Sequence, residues 1–498
     1  MPYKILMIYP EFPDTFWSFK HALKFIHKRS SSPPLGLLTI AAMLPQSWEK
    51  KLVDLNVHQL KMRDLVWADF VFISAMTVQR DSAIQVIERC NEMGVKVVAG
   101  GPLFTTEFDQ FIGVDHFILN EAELTLPEFL KDLTKGEPKP IYQSDAFADM
   151  HTTPAPLWDL INLDDYASMC IQYTRGCPFN CDFCNVTALL GHRMRLKTPQ
   201  QIIGELDGLY NGGWRGGVFF VDDNLIGNKK ELKENLLPAL ISWRADKPGF
   251  SFNTEASINL ADDPELMQLM VAAGFNKVFI GIETPEDANL EECSKRQNMN
   301  RDLEADIRRI QHAGMQVQGG FIVGFDHDTP STFKQLQDFI QNTGIVTAMV
   351  GILQAPIGTR LYARMEQTGR IIKQMSGDNV DGSTNIMTKM NLDHLKQRYR
   401  ELLQRLYSPE FYYERVISFL KEYHMPSIRI SFNMKMLWQN LIAFLRSIIQ
   451  LGILGKERWH YWKLFFWTLF KKPKLFPLAI EFSIYGYHFR KISAKTET

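Results

Sequence analysis

Short apolar runs closed by turn-forming residues punctuate the first third of the chain, at residues 4–10, 51–54, 70–74 and 95–101. Between them, residues 34–44 and 82–93 carry apolar positions at helical spacing. That alternation predicts βαβ units and a parallel, doubly wound sheet. Ligands bind such sheets at the carboxyl ends of the strands, a rim that here reads Tyr9-Pro10, Asp54-Leu55-Asn56, Ser74 to Thr77, Gly100-Gly101-Pro102 and Asn120 to Glu123. Residues 135–160, with Pro138, Pro140, Pro154 and Pro156, lack periodicity and read as a connection laid over the surface. A second alternation follows, with strands at 171–173, 218–224, 250–255, 277–283, 317–325 and 347–353. Thr198 as N-cap and Pro199 at the first helical position open a helix through Gly208. Six strands with intervening helices predict a partial (β/α)6 barrel whose active face is the strands' carboxyl end. The loop 376–385, rich in Gly, Asp, Asn and Ser, is expected over the barrel mouth, and 392–406, 410–423, 437–454 and 459–470 read as helices. The predicted class is α/β: a Rossmann-like domain at 1–135, a linker at 136–165, the barrel at 166–370 and a mostly helical domain at 371–498.

With 498 residues, 45% of them hydrophobic, the chain can bury two or three cores. A formal charge of −1 is uninformative overall, but residues 421–498 hold 13 Lys/Arg against 4 Asp/Glu, an asymmetry that points to a distinct basic tail rather than to a nucleic-acid-binding protein as a whole. Basic helices bearing Trp and Phe predict peripheral contact with an anionic membrane; a helical subdomain packed on the barrel is the alternative. No apolar run reaches the roughly 18 residues that span a bilayer. The N-terminus runs into a strand without a signal-peptide core, and Cys90, Cys170 and Cys293 show no pairing pattern. A cytoplasmic location is expected, with any membrane contact on the cytoplasmic face.

Half of the six cysteines lie within eight residues, as Cys177, Cys181 and Cys184 in Cys-x3-Cys-x2-Cys. Three thiolates at this spacing can hold three irons of a [4Fe–4S] cluster and leave the fourth open; a zinc knuckle would need a distant fourth ligand. Asp222, Asp223, Asn224, Glu255, Glu283 and Asp326 recur at the ends of successive strands, where each taken singly could be a helix cap. On the first rim, Gly100 and Gly101 allow close approach of a planar group or phosphate, and Ser74 and Thr77 can hydrogen-bond it.

With Phe183 before its last cysteine, the motif resembles the radical S-adenosylmethionine (SAM) superfamily. A Rossmann-like domain upstream makes the chain similar to the cobalamin-dependent radical SAM enzymes, in the group containing the hopanoid C-2 methylase; residues 16–20, 33–37, 221–229 and 484–489 carry that likeness. The resemblance implies three cofactors: the cluster on Cys177, Cys181 and Cys184, SAM, and cobalamin. It implies that Asp222, Asp223 and Asn224 grip the SAM amino group, that Glu255 contacts its ribose, and that Glu283, Gly320 and Gly324 lie near its adenine and ribose. It places Asp54, Ser74, Thr77, Gly100, Gly101, Pro102 and Glu121 around cobalamin, although Asn56 stands where a cobalt-ligating histidine would. The implied activity is methyl transfer to an unactivated carbon of a hydrophobic, lipid-like substrate such as a hopanoid, with a flavodoxin or ferredoxin as reductant. In the implied mechanism one SAM methylates cobalamin, a second yields a deoxyadenosyl radical, and the substrate radical collects the methyl. Radical cyclisation or rearrangement without methyl transfer, and a non-catalytic cobalamin or iron–sulfur binder, are the alternatives. Arg175, just before the cysteines, is read as pairing with a carboxylate or bracing the loop.

Overall fold

The computed structural model describes residues 2–426 and 434–497. Strands β1 (Lys4–Tyr9), β2 (Glu49–Asp54), β3 (Phe70–Ser74), β4 (Lys96–Gly100), β5 (His116–Ile118) and β6 (Ile141–Tyr142) form one parallel sheet in the order β2-β1-β3-β4-β5-β6. The order reverses beside β1, which makes that carboxyl edge the switch point where such sheets take ligands. β1 and β3 are buried on both faces, which is why they read as unbroken apolar runs. β5 and β6 were not legible because each is too short to show a period, and β6 lies inside the segment expected as linker.

β7 (Ser168–Ile171) begins the second sheet and leads into a small antiparallel ribbon, β8 (Thr174–Arg175) with β9 (Arg195–Leu196), which closes the base of the cysteine loop. β10 (Gly217–Phe220), β11 (Ser251–Ala256), β12 (Phe275–Glu283), β13 (Gln316–Val323) and β14 (Ala348–Ile352) then add in chain order, all parallel, to give the open barrel. Residues alternate in burial along β11: Phe252 and Thr254 pack outward under helices, while Ser251, Asn253 and Glu255 face the lumen.

Helices Leu392–Leu406, Pro409–Glu422, Met434–Ser447, Arg458–Lys471 and Phe476–Ser493 complete the fold, with a π-helical turn over Ile448–Ile453. The last helix was not foreseen: it is buried on most of its circumference, so no polar stripe marks a 3.6-residue period. Gly486 lets it approach its neighbour, since a Cβ there would stand 2.4 Å from the Tyr412 ring. The segment after β1 docks on this helix rather than on its own sheet. Phe16 stacks on Phe489 with ring centroids 4.3 Å apart, and His488 Nε2 donates to the Phe16 carbonyl at 2.9 Å.

Candidate active site

The cysteine loop is held from several directions. Gly176 has φ +95°, and a Cβ there would meet the Arg193 carbonyl at 2.6 Å. The amide of Cys177 donates to Gly191 and that of Asp182 to Cys293, while the Asp182 carboxylate takes Arg360 at 2.5 Å. The Phe183 ring packs against the buried group containing Cys293, Phe325 and Leu353, anchoring the loop to the barrel. Cys177, Cys181 and Cys184 stay partly accessible, whereas Cys90, Cys170 and Cys293 are buried. Burial pushes the Cys177 thiol up and Cys184 up to about 12; bound iron would offset that penalty on the thiolates. The buried Asn224 Nδ2 faces the Cys177 sulfur and has no other hydrogen-bond partner among the described residues. A donor left free next to a sulfur fits a cluster there.

Lys295, which sequence reasoning missed, pairs with Glu283 at 2.6 Å and stands 5.9 Å from the Phe183 ring centroid. Burial works against its charge, but Glu283 and the thiols of Cys181 and Cys184 hold its pKa above the ordinary value. The pair needs the bare backbone of Gly281, where a Cβ would lie 2.4 Å from Glu283 Oε1 and 2.8 Å from Lys295 Nζ. Glu283 thus serves Lys295 through a left-handed backbone, φ +64°.

The strand-end acids divide. Asp222 is fully buried and accepts the amides of Tyr173 and Thr174, so it braces the chain entering the cysteine loop and does not face a ligand, contrary to expectation. Asn224 Oδ1 is likewise taken by Ser257, leaving only its amide nitrogen for the cysteine side. Among the described residues neither Asp223 nor Glu255 forms an ion pair, although the Lys295 charge reaches Glu255. Burial lifts Asp223 to about 6, and burial followed by the charges of Asp223 and Asp222 lifts Glu255 to about 8. Uncompensated acids beside the cysteine loop suit a ligand carrying positive charge, as SAM does. Gly320 and Gly324 do not join them. Gly320 makes room for the Phe279 ring, 2.7 Å from where its Cβ would be, and Gly324 packs against Leu395 and Ile352. Asp326 is paired with Arg370 at 2.6 Å, away from the lumen.

A cavity of about 1610 Å3 joins this region to the first sheet. One arm enters the N-terminal domain between helix Leu35–Met43 and strands β3 to β5, walled by Gly36, Leu37, Ile40 and Met43 opposite Phe72, Val98 and Ile118. Ser74, Gly100, Gly101, Pro102, Asn120 and Glu121 form its rim. Gly101 has φ +90° and a Cβ there would stand 2.5 Å from Ser74 Oγ, while the buried Asn120 Oδ1 lacks a partner among the described residues. A flat apolar slot with free polar atoms at its mouth fits the nucleotide tail of a cobalamin. The slot-lining residues of helix 35–43 were missed because they read as ordinary helix core.

Contacts account for four of the expected rim residues, of which Gly100 and Glu121 line the cavity and Thr77 and Asp54 do not. The space over Gly100 is filled by the Ile118 carbonyl, 2.7 Å from where a Cβ would stand, so that glycine serves strand pairing. Thr77 lies outside the cavity wall, covered by the loop at Gly377. Asp54, 1% exposed, accepts Asn56 and the Tyr166 hydroxyl, joining the sheet to the chain leading into the barrel. Glu121 holds Arg195 of β9 at 2.6 and 2.5 Å, and Glu123 holds Arg175 of β8 at 3.0 and 2.8 Å. Both carboxylates therefore clamp the cysteine ribbon to the rim, which settles the role of Arg175. Gly377, Asp378 and Asn379 line the cavity, as expected of a loop over the mouth.

Residues 27–130 match the B12 binding domain, 171–340 the Radical SAM superfamily, and 359–498 a domain of unknown function. The chain is 39% identical to an uncharacterized methyltransferase of Synechocystis sp., over 98% of this chain and 91% of the relative. It is 32% identical to the hopanoid C-2 methylase of Rhodopseudomonas palustris, over 92% of this chain and 88% of the relative. The chain belongs to the cobalamin-dependent radical SAM methyltransferases. Solved structures show the same fold: OxsB with aqua-cobalamin, at TM-score 0.62 and 15% identity, covers 100% of this chain and 80% of that one. TsrM of Kitasatospora setae with cobalamin and a [4Fe–4S] cluster, at TM-score 0.58 and 15% identity, covers 75% and 80%. The cofactors of this methyltransferase are a [4Fe–4S] cluster, SAM and cobalamin.

Proposed function

We propose that this enzyme methylates an unactivated carbon of an amphiphilic polycyclic lipid, of the hopanoid type, taken from a membrane surface. When bound, the cluster and SAM supply a deoxyadenosyl radical and the cobalamin supplies the methyl group. Cys177, Cys181 and Cys184 would hold the cluster, Asp223 and Glu255 would face SAM, and the slot behind Gly101 would hold the cobalamin tail. The Glu121–Arg195 and Glu123–Arg175 clamps keep the slot's mouth turned to the barrel lumen. Trp17, Phe219 and Phe279 line the space between with apolar surface that excludes water and receives a hydrocarbon. Electrons would come from a small protein such as flavodoxin or ferredoxin; Arg360 and Arg364, on the outer side of the cysteine loop, offer it positive charge.

The observation that carries the lipid reading is the outer face of two C-terminal helices. Trp438, Leu441, Leu445 and Ile449 follow helical spacing and all point outward, and the next helix exposes Phe466, Trp459 at 76% and Phe470 at 75%. Leu451, Tyr461, Leu464 and Thr468 bury the opposite faces, so among the described residues the helices are packed inside and unpartnered outside. Lys456, Arg458, Lys463, Lys471 and Lys474 are exposed around the apolar stripe. An apolar face edged by cations suits an anionic bilayer surface. Among the described residues no helix is long and apolar enough to cross a membrane. The R. palustris hopanoid C-2 methylase, alike over nearly its whole length, supports the substrate class.

Full-length protein is expected to sediment with anionic liposomes at low salt and to be released as salt rises. Reversing charge at Lys463, Lys471 and Lys474 should weaken binding while sparing the cluster; Lys472 is left alone because it donates to the Lys421 carbonyl. Protein that stays in the supernatant at low salt would refute membrane docking.

A further inference from the structure

The cavity does not end at the cofactor sites. It runs down the barrel lumen to the amino-terminal part of β12 and opens against the last helix, where Lys277, Glu481 and Tyr485 line it. Lys277 Nζ lies 2.6 Å from Glu481 Oε1, and the Tyr485 hydroxyl, one helical turn on, donates to the same oxygen at 2.7 Å. The second Glu481 oxygen has no protein partner among the described residues, and 21% of the Lys277 and 36% of the Glu481 side chain stay accessible. Because both line the cavity, that surface faces it. The walls around them combine apolar Phe19, Phe444 and Ile480 with neutral amides, Asn253 and Gln316, which flank Lys277 on the neighbouring strands.

We propose that this end of the cavity anchors the hydroxylated end of an amphiphilic substrate, with the free Glu481 oxygen accepting from the hydroxyl and Lys277 donating to it. The proposal rests on the lipid-substrate reading and names the polar group that substrate carries. Three observations lead here. First, a charged pair inside a cavity whose other lining is neutral is expensive to desolvate, and the helix is also held by Tyr412 to Phe482, by His488 to Phe16 and by the Phe16–Phe489 stack. Second, the pair is internally neutral: burial opposes both charges, yet each partner holds the other ionised. A phosphate or an ammonium group would meet no net counter-charge, whereas a hydroxyl is both donor and acceptor and can satisfy both groups at once. Third, Lys277 lies six residues before Glu283 on β12, which at about 3.3 Å per residue is roughly 20 Å from the cysteine end. A small polar substrate cannot touch both ends, but a rigid fused-ring skeleton with a polar terminus can.

The test uses full-length protein loaded with cluster and cobalamin, in detergent, with two probes: a pentacyclic triterpenoid alcohol and the parent hydrocarbon of the same skeleton. Equilibrium binding should favour the alcohol by about ten-fold or more, the range of a hydrogen bond to a charged group. Lys277→Met/Glu481→Leu removes the pair without leaving a lone charge, and should abolish the preference while keeping the hydrocarbon affinity, cluster content and cobalamin content. Equal affinity of the two probes for the unaltered protein, or a preference that survives in the double variant, overturns the anchor and leaves the lipid reading standing. If neither probe binds, both fail. The comparison on unaltered protein does not depend on any variant folding.

Discussion

Lys295 is a buried cation whose charge reaches two of the three cysteine thiols, and that placement suits a control on the cluster. Its charge acts on Cys181 and Cys184, and Glu283 holds it in place through the gap left by Gly281. Reduction adds negative charge to the cluster, so a nearby cation favours the reduced state. In Lys295→Met the cation is lost and Glu283 is left unpaired, both in the direction of harder reduction. The cluster potential, read by redox titration with electron paramagnetic resonance, should fall by on the order of tens of millivolts. A potential unchanged or raised would show that Lys295 does not act on the cluster. The cysteines were legible because their spacing alone restricts the chemistry. Lys295 was not, since nothing in a lysine after a short helix tells which way it points. The same blindness explains the acids: a carboxylate at a strand end looks alike whether it faces a lumen, as Glu255 does, or a backbone amide, as Asp222 does.

Among the elements, the last helix carries the most that the sequence concealed. It packs on three parts of the chain, and His488 is its contact with the segment after β1. Burial, aided by the charge of His21, holds His488 near pKa 4, below the usual 6.5. A histidine kept neutral in the fold adds stability that is full above its unfolded pKa and is lost as pH falls toward the folded one. Between pH 7 and pH 5 this residue should cost on the order of 2 kcal/mol. Accordingly, the melting temperature of the unaltered protein should drop more over that interval than that of His488→Gln, which keeps a donor for the Phe16 carbonyl. Parallel pH slopes would contradict the assignment. Elements with a clear apolar run or period, such as β1, β3, β12 and the helix opened by Thr198, were readable; β5, β6 and the last helix were not, because brevity or all-round burial on a helix erased the signal.

At the scale of the molecule, the order of domains was legible but their mutual fit was not. The Glu121–Arg195 and Glu123–Arg175 clamps join residues 74 and 52 positions apart in the chain, and no local pattern announces such a pairing. Yet those clamps hold the slot of the first sheet against the barrel lumen in one cavity beside the cysteine loop, and helix Met434–Ser447 lines its lower arm through Ala443 and Phe444. The proposed function requires one continuous path from membrane surface to SAM and cobalamin, used for methyl transfer. The most direct test is to incubate the loaded full-length protein with SAM, a reductant and a polycyclic membrane lipid, and to count products. Methyl transfer predicts 5′-deoxyadenosine and S-adenosylhomocysteine in equal amounts, together with a lipid heavier by one CH2 unit. Deoxyadenosine formed without S-adenosylhomocysteine and without a heavier lipid would contradict it.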